Sequence, residues 1–244
     1  MKGFLAVYLR EILLFKKRIF RILLSFSINP LLYLFAFGIG LGKNIVIGGK
    51  SYLEFLIPGL ISATSMMQAF AINVEINISR FYLKIFEEFQ ASPVSHFSYA
   101  LGEILSGVTR AFLATFIILA ISFLAGVKFH LNFYFFLAVF LNAFIFASLG
   151  LTSAMLIKSH ADQALVTNFI ITPMMFLGGT FFPTENLPSF IKPFIEILPL
   201  TITSHTLRSI ALYNSFKNSY LIILFLIAII SFIIALYSIK GSKD

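Results

Sequence analysis

The sequence predicts an all-α polytopic membrane protein, and three observations carry that prediction. The 244 residues are 59% hydrophobic and only 11% charged, whereas a soluble domain carries about 25% charged residues. Mean hydropathy is +0.96. Apolar runs of ~20 residues recur, each long enough to cross the hydrocarbon core of a bilayer as a helix. They do not alternate polar and apolar, as the ~10-residue strands of a membrane barrel would. A net charge of +8 would suggest a nucleic-acid partner in a soluble protein. Here basic loops on the cytoplasmic side account for it, and no nucleic acid is expected. The chain has no cysteine, so neither a disulfide nor a thiolate metal site can form.

Residues 1–21 precede the first long apolar run. On a helix, Phe4, Tyr8, Ile12, Phe15 and Ile19 share one face, and Arg10, Lys17 and Arg21 the opposite one. That pattern predicts a cytoplasmic amphipathic helix lying in the membrane interface, basic face toward anionic headgroups. The basic head of a cleaved signal peptide is the alternative, but the segment is long for one and no A-x-A-like site follows.

Residues 22–244 are expected to hold six transmembrane helices: about Ile22–Leu41, Phe55–Val74, Tyr99–Val127, Phe133–Ile157, Ala164–Phe182 and Tyr220–Ile239. Pro30 removes a helix donor within the first and is expected to kink it. With the N-terminus inside, eleven of the 18 Lys and Arg residues fall in inner segments, six in outer segments, and Arg110 in the third span. This bias places both termini in the cytoplasm. Tyrosines fall mostly at the two expected boundaries, as an aromatic belt requires. Between spans five and six, residues 183–218 contain Pro183, Pro188, Pro193 and Pro199, half of the eight prolines. Their apolar stretches are too short to span, so they are expected to be short re-entrant helices at the outer face, with Pro183, Pro188, Pro199 and Arg208 as marker residues.

Few motifs carry chemistry. "GIGLGKN", residues 38–44, is glycine-rich, but Phe37 stands where a P-loop needs its first glycine and Asn44 where it needs Ser or Thr. No nucleotide is expected to bind this chain. The four histidines, His96, His130, His160 and His205, lack a second ligand at helical spacing, and no catalytic constellation stands out. Charge within a span is costly and commonly functional, which singles out Glu75, Glu103 and Arg110. Glu103 and Arg110 are seven residues apart and share a helix face. Two readings stand side by side: an ion pair that fixes helix packing, or an inner vestibule on the path of a polar substrate group.

Two stretches resemble a known family. "EEFQASPVSHFSYALGEILSGVTRAFLAT" resembles the opening of the third span in type-2 ABC transporter permeases. "NFIITPMMFLGGTFFPTENLPSFIKPFIEILPLTITSHTLRSIAL" resembles their fifth span and outer re-entrant segment, on Phe181–Pro183, Leu187–Pro188, Pro199–Thr201 and Leu207–Arg208. With the basic N-terminal helix and six-span length, the resemblance covers nearly the whole chain and is nearest to short permeases of drug and lipo-oligosaccharide exporters. Lys84-Ile85 departs from it, since many members have Gly-Thr there, which leaves that turn open.

The resemblance implies the membrane subunit of an exporter, not itself an enzyme. It would move an amphiphilic drug, lipid or lipid-linked glycan across a bacterial or archaeal plasma membrane. ATP and magnesium would sit in a separate ATP-binding cassette subunit, and this chain would bind no cofactor. It would pair with itself or a related permease, surrounded by membrane lipid. Residues 79–97 would be the cytoplasmic coupling segment, in which Phe86, Glu87, Glu88, Phe89, Ser92, Pro93 and Val94 dock on the ATPase. Phe86 and Phe89 would enter one groove of that partner, Glu87 and Glu88 would meet basic groups, and Pro93 would end the helix. An ion-coupled secondary transporter is the alternative, but it would want acids near the bilayer midplane. A membrane-embedded enzyme would want converging catalytic groups.

Overall fold

The computed structural model describes residues 2–17, 19–42 and 45–241. Twelve α-helices follow in order: α1 (Lys2–Lys17), α2 (Ile19–Tyr33), α3 (Tyr52–Phe70), α4 (Ile72–Asn77), α5 (Ile85–Ala91), α6 (His96–Leu124), α7 (Phe133–Leu156), α8 (His160–Val166), α9 (Thr172–Leu177), α10 (Lys192–Glu196), α11 (Pro199–Tyr213) and α12 (Asn218–Gly241). Wider π-helical turns continue α2 over Leu34–Leu41, α4 over Ile78–Tyr82 and α8 over Thr167–Ile171. The first begins four residues after Pro30, whose ring leaves the preceding turn without a donor.

Among the described residues, four helical stretches are long and apolar enough to cross a membrane: Tyr52–Tyr82, α6, α7 and α12. A fifth is counted if Gly3–Lys17 and Ile22–Gly38, which lie 85° apart, form one bent span. The chain is therefore a polytopic helical membrane protein. The expected fifth span, Ala164–Phe182, falls in part on the continuous helical run His160–Leu177, whose first turn, His160-Ala161-Asp162-Gln163, is polar. The run ends before Gly178 and Gly179, the latter at φ +74°.

α7 is the hub, packing against α3, α4, α6, α11 and α12, with Phe135, Phe146, Ile145 and Leu151 fully buried. α1 lies along α6. Gly102 makes this approach close: a Cβ there would sit 2.7 Å from Val7 Cβ and 2.9 Å from the Phe4 carbonyl oxygen. Small residues allow helix backbones to meet in this way in membranes. The face of α1 that meets the bundle is Val7, Glu11 and Phe15. The expected stripe of Phe4, Tyr8 and Ile12 lies beside it, half-buried, while Leu5, Leu9 and Leu13 are exposed.

The one departure from an all-helical chain among the described residues is a two-stranded hairpin, β1 (Val46–Ile47) and β2 (Lys50–Ser51). Its turn is Gly48-Gly49, both at positive φ, the conformation a two-residue hairpin of this twist requires. Ser51 then caps α3 reciprocally with Glu54, a capping box.

Candidate functional site

The singled-out residues gather at opposite ends of the Tyr52–Tyr82 helix. Phe55 and Glu75 are twenty residues apart, about 30 Å along a helix.

At the Glu75 end, the structure joins Arg110 to Glu75 across two helices, by hydrogen bond and ion pair. Glu103 is not Arg110's partner, although the two share a face of α6. It is 3% exposed, and its carboxylate makes no hydrogen bond or ion pair with the described residues. Sequence reasoning missed two members of this cluster. Glu11, buried in α1, pairs with Arg10 at 2.9 Å, and Arg10 reaches Ser79 Oγ at 3.5 Å. The signal was available: Glu11 is the only acid before Glu54, within an otherwise basic helix. These groups border a cavity of about 320 Å³, whose other walls include Leu14, Phe15, Ile22 and Ile76. Arg110 lies 5.3 Å from the Phe15 ring centroid, which shields the Arg110–Glu75 pair on its apolar side.

Beside this cavity stands α5, the "FEEFQASPVS" helix. Lys84 begins it at φ +55°. Left-handed backbone costs a side-chain-bearing residue about 1–2 kcal/mol and glycine almost nothing. The family's glycine at this turn has a physical reason, and Lys84 bears the strain. The expectation that Phe86 and Phe89 enter a partner's groove is corrected. Phe86 is 4% exposed, and both rings pack on Tyr99, at 5.4 and 5.1 Å. They fasten α5 to α6 of the same chain, because an amphipathic helix on a membrane protein buries its aromatic face on the nearest apolar surface. Arg80 lies over Phe86 and Arg10 over Phe89, both at 5.3 Å. Glu87 and Glu88 are exposed. The helix ends at Ala91; Ser92 Oγ donates to the Phe89 carbonyl at 2.8 Å, and exposed Pro93 follows. Val94 packs against the core. Ser95 caps α6 by accepting from Ser98 N.

At the Phe55 end, residues 183–218 fold into a short 3-10 turn (Thr184–Asn186), α10 and α11. Pro183 precedes the turn, exposed Pro188 lies in the link to α10, and Pro199 opens α11, where its missing N–H costs nothing. α11 packs on α3 and α7, with Leu200, Leu207 and Ile210 fully buried. Arg208 ties the layers together. It donates to the Phe55 carbonyl at 3.1 Å and the Gly179 carbonyl at 2.8 Å, and its guanidinium lies 3.7 Å from the Phe55 ring centroid. Gly59 admits this packing, since a Cβ would meet the Thr180 carbonyl oxygen at 2.6 Å. His205 Nε2 lies 3.2 Å from Thr184 Oγ1; burial, reinforced by Arg208, lowers its pKa below the ordinary value. The glycine-rich "GIGLGKN" run ends the π-helical turn and Gly42; Lys43 and Asn44 lie outside the described residues.

Membrane-length helices around α7, a charged cavity at one end and a non-spanning helix packed into the other define a multi-pass membrane protein built to present polar groups at both faces. Comparison with known families makes this specific. The profile of the ABC-2 type transporter family matches residues 2–212, and the chain belongs to that family. It is 30% identical over 213 residues to nodulation protein J of Rhizobium leguminosarum bv. trifolii, covering 86% of this chain and 81% of that one. It is 29% identical over 198 residues to the inner membrane transport permease YadH of Escherichia coli K12, covering 80% and 77% respectively.

Proposed function

We propose that this chain is the membrane-spanning subunit of an ATP-driven exporter, carrying an amphiphilic substrate outward across a bacterial or archaeal cell membrane. A relative named as an inner membrane transport permease supports both the transport role and the compartment. On this reading six spans cross the bilayer, with Ile22–Gly38 and His160–Leu177 added to the four long ones, and both termini are cytoplasmic. Residues 183–218 form the outer re-entrant segment. Two copies, or this chain and a related permease, complete the pore in contact with lipid. ATP and magnesium belong to a separate ATP-binding cassette subunit.

The observation that carries the reading is the two-faced construction of α5. Its aromatic face is clamped to α6, while Glu87 and Glu88 stand free at the surface. A loop needing only solubility would not require that clamp. A helix that receives a push from a partner does, because a contact transmits force only if its own base is fixed. Glu87 and Glu88 would make charge-assisted contacts with basic groups of the ATPase, with Ser92, Pro93 and Val94 setting the helix end. Phe86 and Phe89 would support the contact from beneath.

The test is a charge reversal in the complex with the cognate ATPase. Glu87→Lys with Glu88→Lys should lower both ATPase co-purification and transport into inverted vesicles, with membrane insertion intact. Glu185→Lys, on the opposite face, should change neither. Equal transport loss at both sites with the ATPase still bound would overturn the coupling role. Orientation is tested by single cysteines in this cysteine-free chain. An impermeant thiol reagent should label position 186, and not position 240, in intact cells.

A further inference from the structure

The cavity between α1, α2, α4 and α6 holds a buried carboxylate that is left unpaired among the described residues. Glu11 is matched by Arg10 and Glu75 by Arg110. Glu103 lines the same cavity, is 3% exposed, and has no hydrogen bond or ion pair among the described residues. An isolated buried carboxylate is costly unless it is protonated or a cation neutralises it. Lys17 lines the cavity too, but it is an exposed residue at the rim. Much of the remaining lining is apolar, including Leu14, Phe15, Ile22 and Ile76. At about 320 Å³ there is room for about ten water-sized groups.

These features select a ligand class. The lining carries three bases, Arg10, Lys17 and Arg110, against three acids, Glu11, Glu75 and Glu103. Both arginines are already paired and Lys17 is exposed, so the buried group left to receive a ligand is the Glu103 carboxylate, which calls for a cation. A divalent ion wants six or more oxygen ligands, and no group of three or more His, Asp or Glu able to hold a metal occurs among the described residues. A bare monovalent cation would leave the apolar wall unused. We propose that this cavity binds the ammonium group of an amphiphile, the ammonium seated on Glu103 and the first methylenes of its chain against Leu14, Phe15 and Ile22. An amine-headed phospholipid and an amine-bearing cargo present the same chemistry. The proposal rests on the reading of Glu75, Glu103 and Arg110 as an inner vestibule open to the cytoplasmic leaflet.

The test uses the full-length subunit purified without its ATPase in neutral detergent, with dodecylamine as probe and dodecanol and dodecyl phosphate as matched controls. Binding is read as a rise in unfolding temperature with probe concentration. Dodecylamine should stabilise the protein saturably and the controls should not. Glu103→Gln should raise the half-saturating concentration roughly tenfold or more, the loss expected for one charge-assisted hydrogen bond. Leu14→Trp, at an exposed position that fills the apolar end, should weaken binding likewise, and decides the matter if Glu103→Gln fails to fold. An unchanged dodecylamine titration in the folded variants, or equal stabilisation by dodecanol, would overturn the proposal. Native mass spectrometry after reconstitution with phosphatidylethanolamine and phosphatidylglycerol assigns the source. Phosphatidylethanolamine retained by the unsubstituted chain and lost in Glu103→Gln identifies the lipid; dodecylamine binding without such retention identifies the cargo. No ATPase is needed, so amine binding without export would overturn the exporter reading alone, and export without amine binding this one alone.

Discussion

Gly102→Ala should destabilise the protein, and the sign follows from two opposed magnitudes. Alanine in place of glycine inside a helix is worth about 0.5–1 kcal/mol in favour of the variant. Against this, the new Cβ would lie 2.7 Å from Val7 Cβ, 2.8 Å from Val7 Cγ1 and 2.9 Å from the Phe4 carbonyl oxygen. Carbon atoms pack comfortably at about 3.5–4.0 Å, so α1 must retreat by the better part of an ångström. Of these three, Val7 Cβ and the Phe4 carbonyl oxygen are fixed to the α1 backbone and cannot swing away. Overpacking of this kind costs about 1–3 kcal/mol, leaving a net loss of about 1 kcal/mol at the middle of both ranges and at most about 2.5 kcal/mol. The assay is helix loss by circular dichroism during titration with a denaturing detergent. Gly40→Ala serves as reference, because a Cβ there meets only the Phe35 carbonyl, at 3.5 Å, and it should be neutral or slightly stabilising. Pairing Gly102→Ala with Val7→Gly should show favourable coupling of about 0.5–3 kcal/mol, as for residues in direct contact. Should Gly102→Ala prove as stable as Gly40→Ala, α1 does not seat on α6 at this distance. The account of the Glu11 side of the cavity would fall with it.

Three further outcomes follow from the same geometry. Lys84→Gly should stabilise the protein by about 1 kcal/mol by relieving the left-handed backbone before α5, measured by the same titration; a loss of stability would show that Lys84 makes a contact worth more than its strain. Arg208→Met should cost about 2–4 kcal/mol, since each of two charge-assisted hydrogen bonds contributes about 1.5–3 kcal/mol and some desolvation of the guanidinium is recovered. Arg208→Lys should lie between, and protease cleavage within residues 183–191 should rise in both. Because the pKa of His205 is lowered in the folded chain by burial, the unfolded chain binds more protons below the ordinary value of about 6.5. Stability should therefore fall as pH drops through and below that value, and a His205→Gln variant should show a flatter unfolding-temperature profile from pH 7 to pH 5.

The long helices were legible because hydropathy is a local property. α6, α7 and α12 begin and end within a few residues of the expected runs, and Pro199 marks a helix start that sequence rules anticipate. The hairpin and the cap of α3 were equally local but overlooked: Gly48-Gly49 and the Ser51-x-x-Glu54 spacing are recognised signals. The charge pairing was not legible in the same way. Spacing along α6 reports which residues share its face, so it joins Glu103 with Arg110. Whether a residue on another helix offers a nearer partner depends on how α4 and α1 lie across that face, and Glu75 is that partner. The direction of Phe86 and Phe89 fails for a related reason. Their spacing predicts one shared face, and the structure keeps it, but spacing cannot say whether that face meets Tyr99 or another protein.

α1 is the element through which these separate features act on one another. Glu11 borders the cavity, and its neighbour Arg10 holds both Glu11 and Ser79 while its guanidinium lies over Phe89 of α5. The cavity wall and the foot of the proposed coupling helix therefore share one side chain. On the exporter reading, a cation seated on Glu103 would repel the Arg10 guanidinium on the wall of the same cavity, and any shift of Arg10 would loosen or tighten its contact with Phe89. A cation over an aromatic ring is worth about 0.5–1 kcal/mol at partly exposed sites. That is too little to drive a transporter, and enough to change the stiffness of a seven-residue helix whose other anchors include two aromatic contacts with Tyr99 and the Arg80 guanidinium over Phe86. Arg10→Lys separates the roles. It keeps the charge beside Glu11, while its compact ammonium lacks the planar fork that stacks on a ring. It should leave amine binding within about twofold and reduce transport coupling, read as ATP hydrolysed per substrate moved. If coupling is unchanged while amine binding falls instead, Arg10 serves the cavity alone and the link to α5 carries no signal.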